Sequence, residues 1–121
     1  MEHKILPKIG AVFVPVSDIE RSITWYCNLL KSPEEESTHD NKIYSIELEN
    51  NITIILDANK PVKNSSQPLF YLFTENIQMT RQYLVKNAIE IILDVVDIGS
   101  LKILSFKDPD DNQIMVAEKN P

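Results

Sequence analysis

This 121-residue sequence has a single cysteine, only two histidines and no surplus of positive charge. With Cys27 standing alone, neither a disulfide within the chain nor a cysteine-cluster metal site can form. A formal charge of -6 and a pI near 4.8 argue against general affinity for nucleic acid or anionic membrane, because both need a basic field. No apolar run approaches the roughly 20 residues of a membrane span, and the opening MEHKILPKIG has no apolar stretch of the secretory kind. A cytoplasmic location is the expectation. The remaining composition, 43% hydrophobic and 25% charged, is ordinary for a globular chain long enough to bury one core.

The order of hydrophobic patterns is more informative. KIGAVFVPV, residues 8–16, is valine-rich and reads as a strand buried on both faces. Ser17 and Glu20 match an S-x-x-E capping box. Ile19, Ile23, Tyr26, Cys27 and Leu30 then recur at helical spacing, which predicts a helix laid on a sheet. Residues 32–41 are acidic and polar and read as a loop with room for a short edge strand. KIYSIELE alternates, Tyr44, Ile46 and Leu48 against Ser45 and Glu47, and a turn at Asn50 and Asn51 joins it to NNITIILDA. A polar segment with two prolines follows, and then the pattern restarts. LFYLFT is a strand, ENIQMTRQYLVKNA a helix with Asn76 as N-cap, and IEIILDVV, LKILSFKD and NQIMVAE are three more strands.

Superposing Asp18-Ile19 on Asn76-Ile77 aligns both strand-to-helix junctions, so the same pattern is written twice in different letters. The expected fold is α+β: two βαβββ modules forming a curled, half-open mixed sheet with the helices outside. The expected single domain divides into module one at about 8–58, a linker at about 59–67 and module two at about 68–118.

Two motifs carry a family resemblance. Val16, Asp18, Ser22, Trp25 and Tyr26 match V-x-D-x-x-x-S-x-x-F/W-Y after the first strand, and Asp108, Pro109, Asp110, Asp111 and Asn112 match D-P-D-G-N before the last. In this order, with two βαβββ patterns over residues 8–118, the chain resembles the vicinal oxygen chelate superfamily, the glyoxalase, bleomycin-resistance and extradiol-dioxygenase group. Asp111 departs from the turn glycine at a position expected to need positive φ, and Ala88 stands where the second helix of the family ends in glycine. The resemblance also implies a homodimer.

A chemical departure matters more. Enzymes of this family hold a divalent metal through His, Glu or Gln side chains on the first and last strands of each module. By resemblance those positions fall on Ala11, on Ile54 or Ile55, on Leu69 and on Met115. Aliphatic side chains are not ligands, and a thioether is a poor match for a hard cation. No family metal site and no cofactor are therefore expected. His3 lies near the N-terminus; His39 beside Asp40 and Glu34 to Glu36 reads as a solvated loop before it reads as a cation site. Glu47 and Asp57 remain candidates for acid–base work. Trp25 and Tyr26 read as packing residues and Cys27 as a small core residue, since no basic neighbour in the sequence would activate its thiol.

Strand parity then describes the emptied face. Phe13, Ile55, Leu69, Tyr71, Phe73, Ile103, Ser105, Gln113 and Met115 share it with the lost ligand positions, and Glu47 is expected to face the same space. Val12, Val14, Val16, Phe70, Leu72, Ile114 and Val116 have the opposite parity and should pack on the helices. Apolar walls with a few orienting polar groups are the composition of a small-molecule site, and methionine adapts to varied guests. The leading expectation is thus a metal-independent small-molecule-binding protein, sequestering a drug or metabolite as resistance members of the family do. The acidic chain favours cationic or neutral guests. The alternatives are a glyoxalase-like lyase or dioxygenase with a non-standard site, and a non-catalytic dimerisation or regulatory module.

Overall fold

The computed structural model describes residues 3–35 and 42–121. His39, Asp40 and Glu36 lie outside the described residues, as does most of the stretch considered for an edge strand; its first part, 32–35, is irregular. The chain divides into two compact units, Met1–Pro61 and Val62–Pro121.

In unit one, β1 (Ala11–Pro15) leads into α1 (Ile19–Leu30), followed by β2 (Ile43–Glu47) and β3 (Thr53–Asp57). The sheet order is β1-β3-β2, with β1 parallel to β3 and β2 antiparallel to it. A parallel pair needs a long crossover, which α1 supplies; the β2–β3 pair needs only a short turn. That turn places Asn50 and Asn51 at φ 64° and 60°, a region asparagine tolerates well. Val14, Ile54, Leu56, Tyr44 and Ile46 face α1 and meet Ile23, Tyr26 and Cys27 in a closed core.

Unit two runs β4 (Tyr71–Phe73), α2 (Ile77–Lys86), β5 (Ile91–Asp97), β6 (Leu101–Lys107) and β7 (Gln113–Lys119). Its order is β4-β7-β6-β5, again with the first strand parallel to the last and antiparallel pairs beyond it. Leu104, Phe106, Ile114 and Val116 face α2 and close over Ile77 and Leu84. Burying each such side chain contributes about 1.5–3 kcal/mol. The fold class is α+β, two mixed sheets each covered on one face by its own helix.

Two sequence expectations need correction. The cap of α1 is Asp18, not Ser17: the Asp18 carboxylate accepts the Arg21 backbone N–H at 3.1 Å, while the Ser17 hydroxyl accepts from the Arg21 guanidinium at 3.1 Å. Serine and aspartate cap equally well, and the extended backbone of Asp18 (φ -138°) decides which of them does so. Nor is β1 buried on both faces, because Phe13 is 64% exposed while Val14 is fully covered. A valine run cannot distinguish a doubly covered strand from one that has aromatic and small residues on an open side.

The second helix is capped as expected, with the Asn76 side chain accepting from Met79 N–H at 3.1 Å. A second acceptor reinforces it from the sheet: Glu118 on β7 takes the Ile77 N–H at 2.7 Å. The β6–β7 turn is built on buried Asp108. Its Oδ1 accepts from the Asp110 and Asn112 backbone N–H groups and its Oδ2 from Asn112 Nδ2, all at 2.9 Å. Asp111 at φ 64° and Ala88 at φ 54° both occupy left-handed backbone that glycine would adopt without strain.

Candidate ligand-binding site

In each unit the helix covers one face of the sheet and leaves the other open, and strand register fixes which side chains share the open face. In unit one Phe13, Ile55 and Ser45 form a row across β1, β3 and β2. Ala11, Thr53 and Glu47 form the next row on one side, and Pro15, Asp57 and Ile43 the next on the other. In unit two Tyr71, Met115, Ser105 and Leu93 align across β4, β7, β6 and β5. Phe73, Ala117, Ile103 and Val96 form the following row.

The ten candidate residues thus fall on two faces. Phe13, Glu47 and Ile55 belong to unit one, and the other seven to unit two. Ile55, not Ile54, is the open-face residue of β3; Ile54 is fully buried against the helix side. The unit-two set is the more concentrated. Tyr71 and Phe73 are 49% and 60% exposed and touch edge to face, with ring centroids 5.4 Å apart and planes at 86°. Leu69 and Met115 extend this apolar area; Leu69 is tied to β7 by its N–H to the Gln113 carbonyl at 2.9 Å. Large apolar side chains standing together in solvent are unusual on a soluble protein and mark surfaces that meet a guest or partner. Ser105 behaves differently from its neighbours. It is only 3% exposed, so it forms the floor of the face with the fully buried Ala117. Gln113 reaches outward, its side-chain amide donating to the Ser65 carbonyl at 3.2 Å.

The residues at the positions where the resemblance implies metal ligands do not suit a hard divalent cation. Ala11 and Ile55 on one face, and Leu69 and Met115 on the other, bring no carboxylate or imidazole to the family's ligand positions. Among the described residues no group of three His, Cys, Asp or Glu side chains could hold an ion. The carboxylate pair considered for acid–base work is also taken apart. Glu47 is level with Thr53, whereas Asp57 lies four residues further along β3, about 13 Å at the rise of a strand. Asp57 is engaged by the Asn59 N–H at 2.8 Å.

Cys27 lies in the unit-one core, its sulfur 3.9 Å from the Tyr44 hydroxyl, and burial pushes the thiol above its ordinary pKa. Burial raises the Tyr44 phenol too, whose oxygen accepts the Glu35 N–H at 2.9 Å. Neither group is activated. Trp25 and Tyr26 meet edge to face at 4.7 Å, with Tyr26 fully buried. A cleft of about 630 Å³ runs beside β2, lined by Ser32, Pro33 and Glu35 on one side and by Tyr44 to Glu47 on the other. It shares only Glu47 with the candidate set, and its polar lining suits a guest less well than the aromatic face does.

Sequence reasoning missed Leu93, Val96 and Lys119. Lys119 continues the Gln113, Met115, Ala117 alternation and holds its ammonium 4.9 Å from the Phe73 ring centroid; extending the parity by one step finds it. Leu93 and Val96 are hidden by register shifts in β5, which break the alternation on which the prediction rests.

Comparisons with known proteins agree with this architecture. The family model described as Glyoxalase/Bleomycin resistance protein/Dioxygenase superfamily matches residues 8–116. No curated protein matched. Among solved structures, TnmS3, an antibiotic binding protein from Streptomyces sp. CB03234, aligns with a TM-score of 0.76 at 16% identity, over 98% of this chain and 100% of that one. SMU.1112c aligns at 0.73 with 22% identity, over 94% and 100%. Oxidase ChaP-H1 aligns at 0.74 with 10% identity, over 95% and 98%. At these identities the likeness concerns the fold.

Proposed function

This chain belongs to the Glyoxalase/Bleomycin resistance protein/Dioxygenase superfamily, and on that premise we propose that it is a metal-independent binding protein holding an aromatic small molecule on the open face of unit two. The observation that carries the reading is the exposed Tyr71–Phe73 pair beside Met115 and Leu69, at the place where enzymes of the family are expected to put metal ligands. A flat guest covering these groups removes apolar surface from water at about 25 cal/mol per Å², and aromatic contacts add about 0.5–1.5 kcal/mol each. Sequestration of a drug or metabolite is the concrete form. The structural neighbour named as an antibiotic binding protein supports it. Phe13, Ile55 and Glu47 offer a smaller contact area on unit one. The reading includes a homodimer, by family resemblance, and a cytoplasmic location; no helix among the described residues is long and apolar enough to cross a membrane.

The test is a thermal-shift screen in chelator-containing buffer against aromatic antibiotics and metabolites. A guest that binds the folded state raises Tm in proportion to the logarithm of its concentration, and Phe73→Ala should abolish the rise. No shift with any guest sinks the proposal.

A catalytic reading, a glyoxalase-like lyase or dioxygenase, draws on the neighbour named as an oxidase. Metal analysis of protein purified without chelator separates the two: a stoichiometric transition metal tied to turnover would favour the enzyme.

A further inference from the structure

We infer that Lys119 selects the guest, and that the preferred ligand of unit two is an aromatic monoanion whose carboxylate or similar group pairs with this ammonium. The inference rests on the binding role proposed above and adds the charge of the ligand to it.

Three lysines lie on β6 and β7. Lys102 reaches Glu118 at 3.7 Å and Lys107 reaches Glu90 at 3.4 Å. Lys119 makes no ion pair among the described residues; its ammonium stands over Phe73, 4.9 Å from the ring centroid. Asp97, near the same end of the sheet, is occupied by the Gly99 N–H at 2.9 Å and Asn120 Nδ2 at 3.0 Å. The aromatic face therefore ends at a cation that stands over a ring and forms no ion pair among the described residues, Glu75 beyond Phe73 being the carboxylate nearest to it in register.

The spacing suits one kind of molecule. Along β7 the open-face residues Met115, Ala117 and Lys119 are separated by two-residue steps of about 7 Å each. Tyr71 is level with Met115 and Phe73 with Ala117. A fused-ring guest lying over both aromatic rows thus presents its end to the third, where the lysine stands. The floor under the rings is small, Ser105 and Ala117, so a flat molecule can settle without displacing a side chain.

Net charge alone argues for cationic or neutral guests, since the chain carries -6. That field is screened over about 8 Å at physiological salt. Contact with a lysine partly desolvated by the guest acts inside that distance, where charged hydrogen bonds are worth more than solvated pairs. The local charge decides.

The experiment is calorimetric titration of the full chain with 2-naphthoate and with uncharged 2-naphthamide, at 20 and 300 mM salt. The parent protein should bind naphthoate about tenfold more tightly than the amide, a difference of ~1.4 kcal/mol, with the gap narrowing at high salt. Lys119→Met should erase the preference by weakening naphthoate only, and Lys119→Arg should keep it. Equal affinities in the parent, or a preference that survives in Lys119→Met, overturn the inference while leaving the binding role standing. If neither probe binds, the inference falls, whereas the binding role falls with a blank thermal-shift screen or with affinities that Phe73→Ala leaves unchanged.

Discussion

The two units share the start of one wiring diagram, a first strand followed by a helix and paired parallel to the last strand, with one antiparallel pair beyond it among the described residues of unit one and two in unit two. Their buried faces are correspondingly alike, with β-branched and leucine side chains under an amphipathic helix. Their open faces are not. Unit one sets a single aromatic ring, Phe13, in a row with Ile55 and Ser45, and the rows on either side carry the carboxylates of Glu47 and Asp57. Unit two sets two rings in contact, flanks them with Leu69 and Met115, and ends at a lysine. The helix-facing positions must be apolar for the unit to fold at all, so they converge. The open positions carry no such requirement, and what they hold reports on use. That asymmetry is the basis on which we propose the guest site for unit two.

The largest expected effect tests whether the two faces of a sheet differ as described. Leu104→Ala in unit two and Ile54→Ala in unit one each remove a fully buried side chain and should cost about 2–5 kcal/mol in urea unfolding. Phe73→Ala and Phe13→Ala, both on mostly exposed rings, should cost under about 1 kcal/mol. Comparable losses at all four positions would break the comparison between the faces.

Helix caps sharpen the comparison between units. Asp18→Ala and Asn76→Ala should each cost about 1 kcal/mol, since each side chain accepts one otherwise free amide at 3.1 Å. Glu118→Ala should cost α2 roughly another 1 kcal/mol, because a carboxylate on β7 also holds the Ile77 amide. A neutral result for Glu118→Ala would return the two helices to equal footing.

A gain is expected at the left-handed residues. Ala88→Gly and Asp111→Gly in unit two, and Lys31→Gly in unit one, relieve positive φ at 54°, 64° and 54°. Each should stabilise by about 0.5–1 kcal/mol, the strain relieved less the greater freedom of glycine when unfolded. Melting temperatures would show it; a loss at Ala88→Gly would mean that the methyl is packed rather than strained.

The smallest effect is electrostatic and confined to unit two. Asp94 is held below the usual carboxylate range chiefly by its hydrogen bonds from Arg81, with Nε to Oδ1 at 2.8 Å and Nη2 to Oδ2 at 3.0 Å. A depressed folded-state pKa contributes stability that is present above the unfolded value, about 3.9, and is lost as pH falls through the folded one. NMR titration of the Asp94 carboxyl should show its midpoint rise in Arg81→Gln, whereas an unmoved midpoint would detach the pair from the shift.

Much of the fold can be read in the letters because capping and periodicity speak twice. Asn76 before an amphipathic run, and alternation in KIYSIELE and NQIMVAE, predict α2, β2 and β7 within a residue or two. The misreadings have local causes. Ser17 and Asp18 are equally good caps, and only backbone geometry chooses between them. The valine run of β1 reads as doubly buried until its open side is known, although parity already sets Phe13 on that side. The bulged register of β5 removes the alternation that would have placed Leu93 and Val96. Parity did put the seven unit-two candidates on a common face, but it could not tell that Ser105 lies at the floor, since burial depends on the neighbouring strands.

The most direct test is methyl NMR of the protein labelled at methionine, titrated with an aromatic guest in the presence of EDTA. The Met115 methyl, level with Tyr71 on the open face, should shift and saturate, while that of Met79, exposed on α2, stays in place. A Met115 signal that stays still, or that moves only after a divalent metal is added, would contradict a metal-free aromatic site on unit two.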